Sequence, residues 1–159
     1  MSDAGAGDAV ERRPETQPTK SKRAIVATVP SDSHMWNLVY IELVLRENGW
    51  DVNNLGACPP VELVVEACLR EKPDMLVISS VNGHGHIGGR KLIGQIRSQS
   101  ELDYLPVVIG GKLGTLGANN SVFVEPLISA GFSAVFMEAE GLEAFGHFIE
   151  NPRREELVA

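Results

Sequence analysis

Five short apolar runs alternate along this 159-residue chain with longer stretches of helical period, and that alternation constrains the fold more than any other feature. The strand candidates are residues 24–29, 51–55, 75–79, 107–109 and 134–137. Helix candidates follow each of them, at 37–48, 60–71, 88–100, 122–130 and 140–150. Gly49, Pro73 and Gly131 stand where helices must stop. Leu38, Ile41 and Leu45, with Val44 beside them, make the inward stripe of the first helix, and Leu63, Val64 and Ala67 that of the second. Strands that alternate with helices pair in parallel through right-handed crossovers. The expectation is an α/β domain built on a doubly wound five-stranded parallel sheet of order 2-1-3-4-5. In that order the winding reverses between the first and third strands. The loops after strands one, three and four then face the ligand site.

Composition bounds the rest. Residues 1–23 mix Gly, Ala, Pro, Thr and charge without apolar period and read as a disordered tail. One domain is expected over 24–150, with a short charged tail at 151–159. The first 23 residues hold five of the fourteen basic and four of the twenty-one acidic residues, so the remainder carries a formal charge of −8. That balance argues against nucleic acid as a partner, which needs a basic face. No apolar stretch is long enough to span a membrane, and the N-terminus lacks the apolar core of a secretion signal. Cys58 and Cys68 form no metal or redox motif and suit a reduced, cytoplasmic protein.

The unusual residues fall on the loops that the topology selects. After the first strand comes Asp32-Ser33-His34, a carboxylate and an imidazole two residues apart. Such a pair acts as a unit when the carboxylate fixes the ring's tautomer and raises its basicity as a ligand. The plainer alternative makes Asp32 the cap of the next helix and His34 a first-turn residue. After the third strand the chain reads Ser79-Ser80-Val81-Asn82-Gly83-His84-Gly85-His86-Ile87-Gly88-Gly89, and after the fourth Gly110-Gly111-Lys112-Leu113-Gly114. Neither is a phosphate loop, and no G-x-G-x-x-G follows the first strand. Two glycine-rich loops at adjacent strand ends point to a ligand that inserts between strands and helices.

Two tenants of this fold are excluded by their residues. A phosphoacceptor receiver needs an Asp at the end of its third strand and a Lys after its fifth, where this chain has Ser79-Ser80 and Glu138. A flavodoxin needs a hydroxyl-rich phosphate loop and flanking aromatics, for which Ser31, Ser33 and Trp36 are weak substitutes.

Taken in order, Asp32-x-His34, Ser79-x-Val81 and Gly110-Gly111 resemble the cobalamin-binding domain of the adenosylcobalamin-dependent mutases, a flavodoxin-like (Rossmann-like) fold whose pattern is Asp-x-His-x-x-Gly, Ser-x-Leu and Gly-Gly. The likeness covers residues 24–148 and is greatest to the small subunits of glutamate (methylaspartate) mutase. The resemblance implies adenosylcobalamin as cofactor, with His34 as the lower ligand of its cobalt and Asp32 bonded to the other ring nitrogen. It implies that Ser79 bonds the buried benzimidazole, that Val81 lines its slot, that Gly110 and Gly111 let the nucleotide tail pass, and that Ser33 and Asn37 belong to the same site. It further implies a heteromer, in which a barrel-type large subunit binds substrate and glutamate and 3-methylaspartate are interconverted through Co–C homolysis and the 5′-deoxyadenosyl radical. This chain alone then holds no catalytic residue and is inactive. The alternative is a stand-alone corrinoid carrier or an adenosylcobalamin-sensing module.

Two positions depart from the pattern, Val81 for Leu and Asn37 for Gly. The first keeps an apolar lining, while the second adds a side chain beside the expected tail pocket. His84 and His86 are expected over the corrin face or at an interface rather than on zinc, for which the chain shows no buttressed ligand set. Trp36 either lies near the corrin rim or staples the first helix. His147 is expected to be structural and Cys68 to pack in the core.

Overall fold

The computed structural model describes residues 19–152. Residues 1–18 and 153–159, which hold most of the two expected tails, lie outside the described residues. Five strands, β1 (Arg23–Ala27), β2 (Asp51–Asn54), β3 (Met75–Ser80), β4 (Val107–Gly111) and β5 (Ala134–Met137), form one parallel sheet of order β2-β1-β3-β4-β5. This is the order expected from the alternation of elements. Helices α1 (Trp36–Glu47), α2 (Val61–Glu71), α3 (Gly85–Arg97), α4 (Val124–Ala130) and α5 (Glu138–Glu150) cover both faces.

Successive residues of a strand face opposite sides of a sheet, so covering both faces requires continuous apolar runs. Ala24, Val26, Val77, Val108 and Phe136 face α1 and α5. Ile25, Ala27, Ile78 and Ile109 face α2, α3 and α4. The α1 stripe lies as expected, with Leu38, Ile41 and Leu45 buried and Val44 packed beside them. Cys68 packs in the core, where burial pushes its thiol up to about 12.

Several boundaries and faces differ from the sequence reading. β1 ends at Ala27 because Thr28 leaves the ladder: its hydroxyl donates to the Asp32 carbonyl (2.9 Å) and accepts the Cys58 N–H (3.0 Å). β4 runs on through its glycines, which stay in register with Ser79 and Ser80. α3 starts three residues early and takes Gly85, Gly88 and Gly89 into its packed face. A Cβ there would lie 2.8 Å from Leu113, 2.8 Å from Val29 and 2.6 Å from Ile109. These three glycines serve close helix–sheet packing, which offsets the ~1 kcal/mol each costs in a helix. In α2 the buried face is Val61, Val64, Ala67 and Cys68, and Leu63, about 100° around from Val64, is exposed. A 3-10 segment (Gly117–Phe123) precedes α4 and shortens it.

Candidate functional site

The turn after β1 carries Asp32 into the interior, where it is fully buried. Its Oδ1 accepts the His34 N–H (3.0 Å) and lies 2.7 Å from His34 Nδ1. Its Oδ2 accepts the Val81 N–H (2.7 Å) and the Ser80 hydroxyl (2.9 Å). Burial opposes ionisation of this carboxyl, but the His34 and Val81 N–H groups, the His34 ring and the Ser80 hydroxyl together outweigh it and hold the group below its ordinary value. An ionised Asp32 accepts a hydrogen bond from the Nδ1–H of the His34 imidazole and leaves Nε2 as the nitrogen with a free lone pair. The capping alternative fails. α1 begins at Trp36 with Met35 at its cap, and no side chain caps it.

Beside this loop, on the α1/α5 face of the sheet, lies a cavity of about 430 Å³. Its floor follows from strand alternation: Ser79, Gly110 and Phe136 stand in register across β3, β4 and β5 on that face. Ser80 and Gly111 are one residue on, and the Ser80 side chain turns to Asp32 instead. Ile41, Val77, Val108, Phe136 and Phe145 make the walls apolar. A side chain at Gly110 would sit 3.0 Å from the Phe136 carbonyl oxygen, so the glycine keeps this row open. Asn37 reaches in from α1 and donates from Nδ2 to Ser79 Oγ (2.9 Å).

Of the residues expected at the site, Asn37, Ser79, Val81, Gly110 and Gly111 line this cavity. Asp32, Ser33 and His34 form the loop beside it, with Ser33 and His34 exposed. Trp36 stands at the cavity's α1 wall and is two-thirds exposed. Sequence reasoning missed Ser80 and the wall residues Tyr40, Phe136, Gly141 and Phe145. Strand alternation over Ser79-Ser80 was the signal for the first. The others come together only through the fold.

The histidines after β3 do not join the cavity lining. His84 is exposed at the cap of α3. The His86 ring stacks on Phe123 (3.8 Å, 17°), with Nδ1 2.6 Å from the Leu113 carbonyl oxygen. Among the described residues no three His, Cys, Asp or Glu side chains group to hold a metal. His147, expected to be structural, is on the exposed side of α5. No helix of the described residues is long and apolar enough to cross a membrane.

An open apolar cavity at the strand exits, floored by one hydroxyl and bordered by a carboxylate-oriented imidazole, defines a ligand-binding domain of the doubly wound class. Its volume lies within the ~300–1,000 Å³ of small-molecule sites. The donor set also suits a cobalt corrinoid: an aromatic nitrogen for the metal, an apolar slot for a nucleotide base and a hydroxyl inside that slot.

The sequence profile of the B12 binding domain matches residues 22–144. The chain is 30% identical to the glutamate mutase sigma subunit of Carboxydothermus hydrogenoformans over 74% of its own length and 85% of that protein. It is 28% identical to that of Halobacterium salinarum over 81% and 83%. A solved cobalamin-binding protein from Desulfitobacterium hafniense superposes with a TM-score of 0.65 at 19% identity; this chain spans 60% of it, and 82% of this chain is covered. The chain belongs to the B12 binding domain family.

Proposed function

We propose that this chain is the cobalamin-binding subunit of an adenosylcobalamin-dependent carbon-skeleton mutase of the glutamate mutase type. The Asp32–His34 pair carries the reading: a buried carboxylate, held by four donors, orients one half-exposed imidazole at the strand exits. His34 Nε2 would bind the cobalt, with Asp32 holding its tautomer. The slot between α1 and α5 would hold the base of the nucleotide tail, with Ser79 placed to donate to a ring nitrogen and Val81 and Gly110 shaping its walls. When bound, adenosylcobalamin supplies a carbon-centred radical by homolysis of its Co–C bond.

The domain provides one wall of the site. A large subunit, a barrel in this reading, closes the upper face, excludes water and binds the amino-acid substrate. The relatives' names support a mutase over a free-standing carrier or sensor. The isolated chain is inactive, and its two free thiols suit the cytoplasm.

Titration of the full chain with adenosylcobalamin, read by visible absorption and by EPR after reduction to Co(II), tests this. The expected result is a base-off spectrum with coupling to a protein imidazole nitrogen, abolished in His34→Ala. Activity on glutamate should then require a glutamate mutase large subunit. Binding with benzimidazole still on cobalt, indifferent to His34→Ala, would leave a carrier or sensor instead.

A further inference from the structure

The cavity is apolar over most of its wall, yet a cation stands in its lining. Among the described residues, Lys112 is the one charged residue there; Asn37, Tyr40 and Ser79 bring amide and hydroxyl groups. The Lys112 side chain is exposed, and its ammonium makes no ion pair with a described residue. The residues after the first 23 carry a formal charge of −8, so this cation runs against the charge of the domain. Its backbone is fixed on both sides. Gly110 and Gly111 pair with Ser79 and Ser80, the Lys112 carbonyl oxygen accepts the Gly83 N–H (3.2 Å), and Leu113 is fully buried. A long charged side chain thus swings on a rigid base. Position along the strand sets its depth. Ser79 and Gly110 form the floor row, and Lys112 lies two residues further toward the strand exits. With Trp36, Tyr40 and Leu142, the other exposed residues of the lining, it marks the mouth.

We infer that Lys112 anchors an anionic group at this mouth, namely the phosphodiester that links the tail base of a cobamide to its corrin. The base is uncharged and enters the apolar slot. The phosphate, whose charge is costly to bury against an apolar wall, stays at the mouth beside the ammonium. Three rotatable N–H donors let the lysine meet a phosphate oxygen without a fixed geometry. This role rests on the slot being the tail pocket of a cobamide, as proposed above.

The test is equilibrium binding of three corrinoids to the full chain at low ionic strength. Cobalamin has both phosphate and base, cobinamide phosphate has a phosphate without the base, and cobinamide has neither. Lys112→Met keeps the length and removes the charge; Lys112→Arg keeps the charge. Lys112→Met should weaken cobalamin and cobinamide phosphate about fivefold, the upper end for one exposed ion pair. The difference should shrink as salt shortens the screening length, to about 3 Å at 1 M. Lys112→Arg should bind as the natural chain does, and cobinamide should be indifferent to both substitutions. Equal cobalamin affinity in the natural chain and Lys112→Met would overturn the role. So would a loss shared by Lys112→Arg, or one that extends equally to cobinamide. Each of these leaves the cobamide reading intact. Failure of the natural chain to bind any of the three would overturn that reading, and this one with it.

Discussion

Gly111→Ala is expected to unfold the domain at markedly lower urea concentration, by about 3 kcal/mol or more, while Gly110→Ala costs about 1–3 kcal/mol and mainly impairs ligand binding. The two glycines look equivalent in sequence and differ by the face they occupy. Gly111 has φ +107°, a region that side chains avoid, and a Cβ there would overlap the Ser80 carbonyl oxygen across the ladder. Neither partner has room to yield, because β3 and β4 pair at that point and Ser80 is fully buried. At Gly110 the backbone is not in that region, and a methyl group would press on Phe136 at 3.0–3.3 Å, within the wall of the cavity. Urea denaturation of both variants beside a corrinoid titration separates the roles. A Gly111→Ala chain as stable as the natural one would mean that strand β4 does not need the left-handed backbone at Gly111.

That contrast shows what the sequence can convey. Buried parallel strands are continuous apolar runs, so the centres of β1, β3, β4 and β5 were legible, and with them the order of the sheet. Their ends were not. Gly110 and Gly111 read as the start of a ligand loop, but ladder bonds to Ser79 and Ser80 keep them in the strand. Gly85-His86-Ile87 read as ligand loop because glycine disfavours helix, whereas Gly85, with Gly88 and Gly89, lets α3 lie against Leu113, Val29 and Ile109. In α2 Leu63 is the more apolar-looking choice for the core, yet packing selects the face through Val61 and Cys68. At the candidate site, Asp32, His34 and Ser79 were legible because they sit at strand exits, and Asn37 because it opens the helix that follows the first of them. Phe136 and Phe145 carry no local signal, since they reach the slot only when α5 packs back on β5.

Asp32 is the residue whose loss should reach furthest. Asp32→Ala would remove the acceptor of four donors at once: the Val81 N–H, the Ser80 hydroxyl, which keeps only a longer bond to Asn82 Oδ1 (3.2 Å), and the N–H and ring of His34. Two of these donors lie in the interior, and hydrogen bonds to a charged group are worth about 1.5–3 kcal/mol each. A loss of about 3–5 kcal/mol follows, a large share of a domain's total stability of roughly 5–15 kcal/mol. Asp32→Asn keeps the shape but turns an N–H toward one of those donors, and should cost about 1–3 kcal/mol. The pH dependence distinguishes a charge effect from a packing effect. Because the folded-state pKa of Asp32 is depressed below its ordinary 3.8, its contribution is present above that value and fades as pH falls through the lower folded value. The stability gap between the natural chain and Asp32→Asn should therefore be constant near neutrality and close below about pH 4. A gap that persists unchanged in acid would assign the loss to packing. Corrinoid binding adds a separate readout: His34 in Asp32→Asn keeps its ring but loses its anionic partner, so the cobalt–imidazole signal should weaken rather than vanish as in His34→Ala.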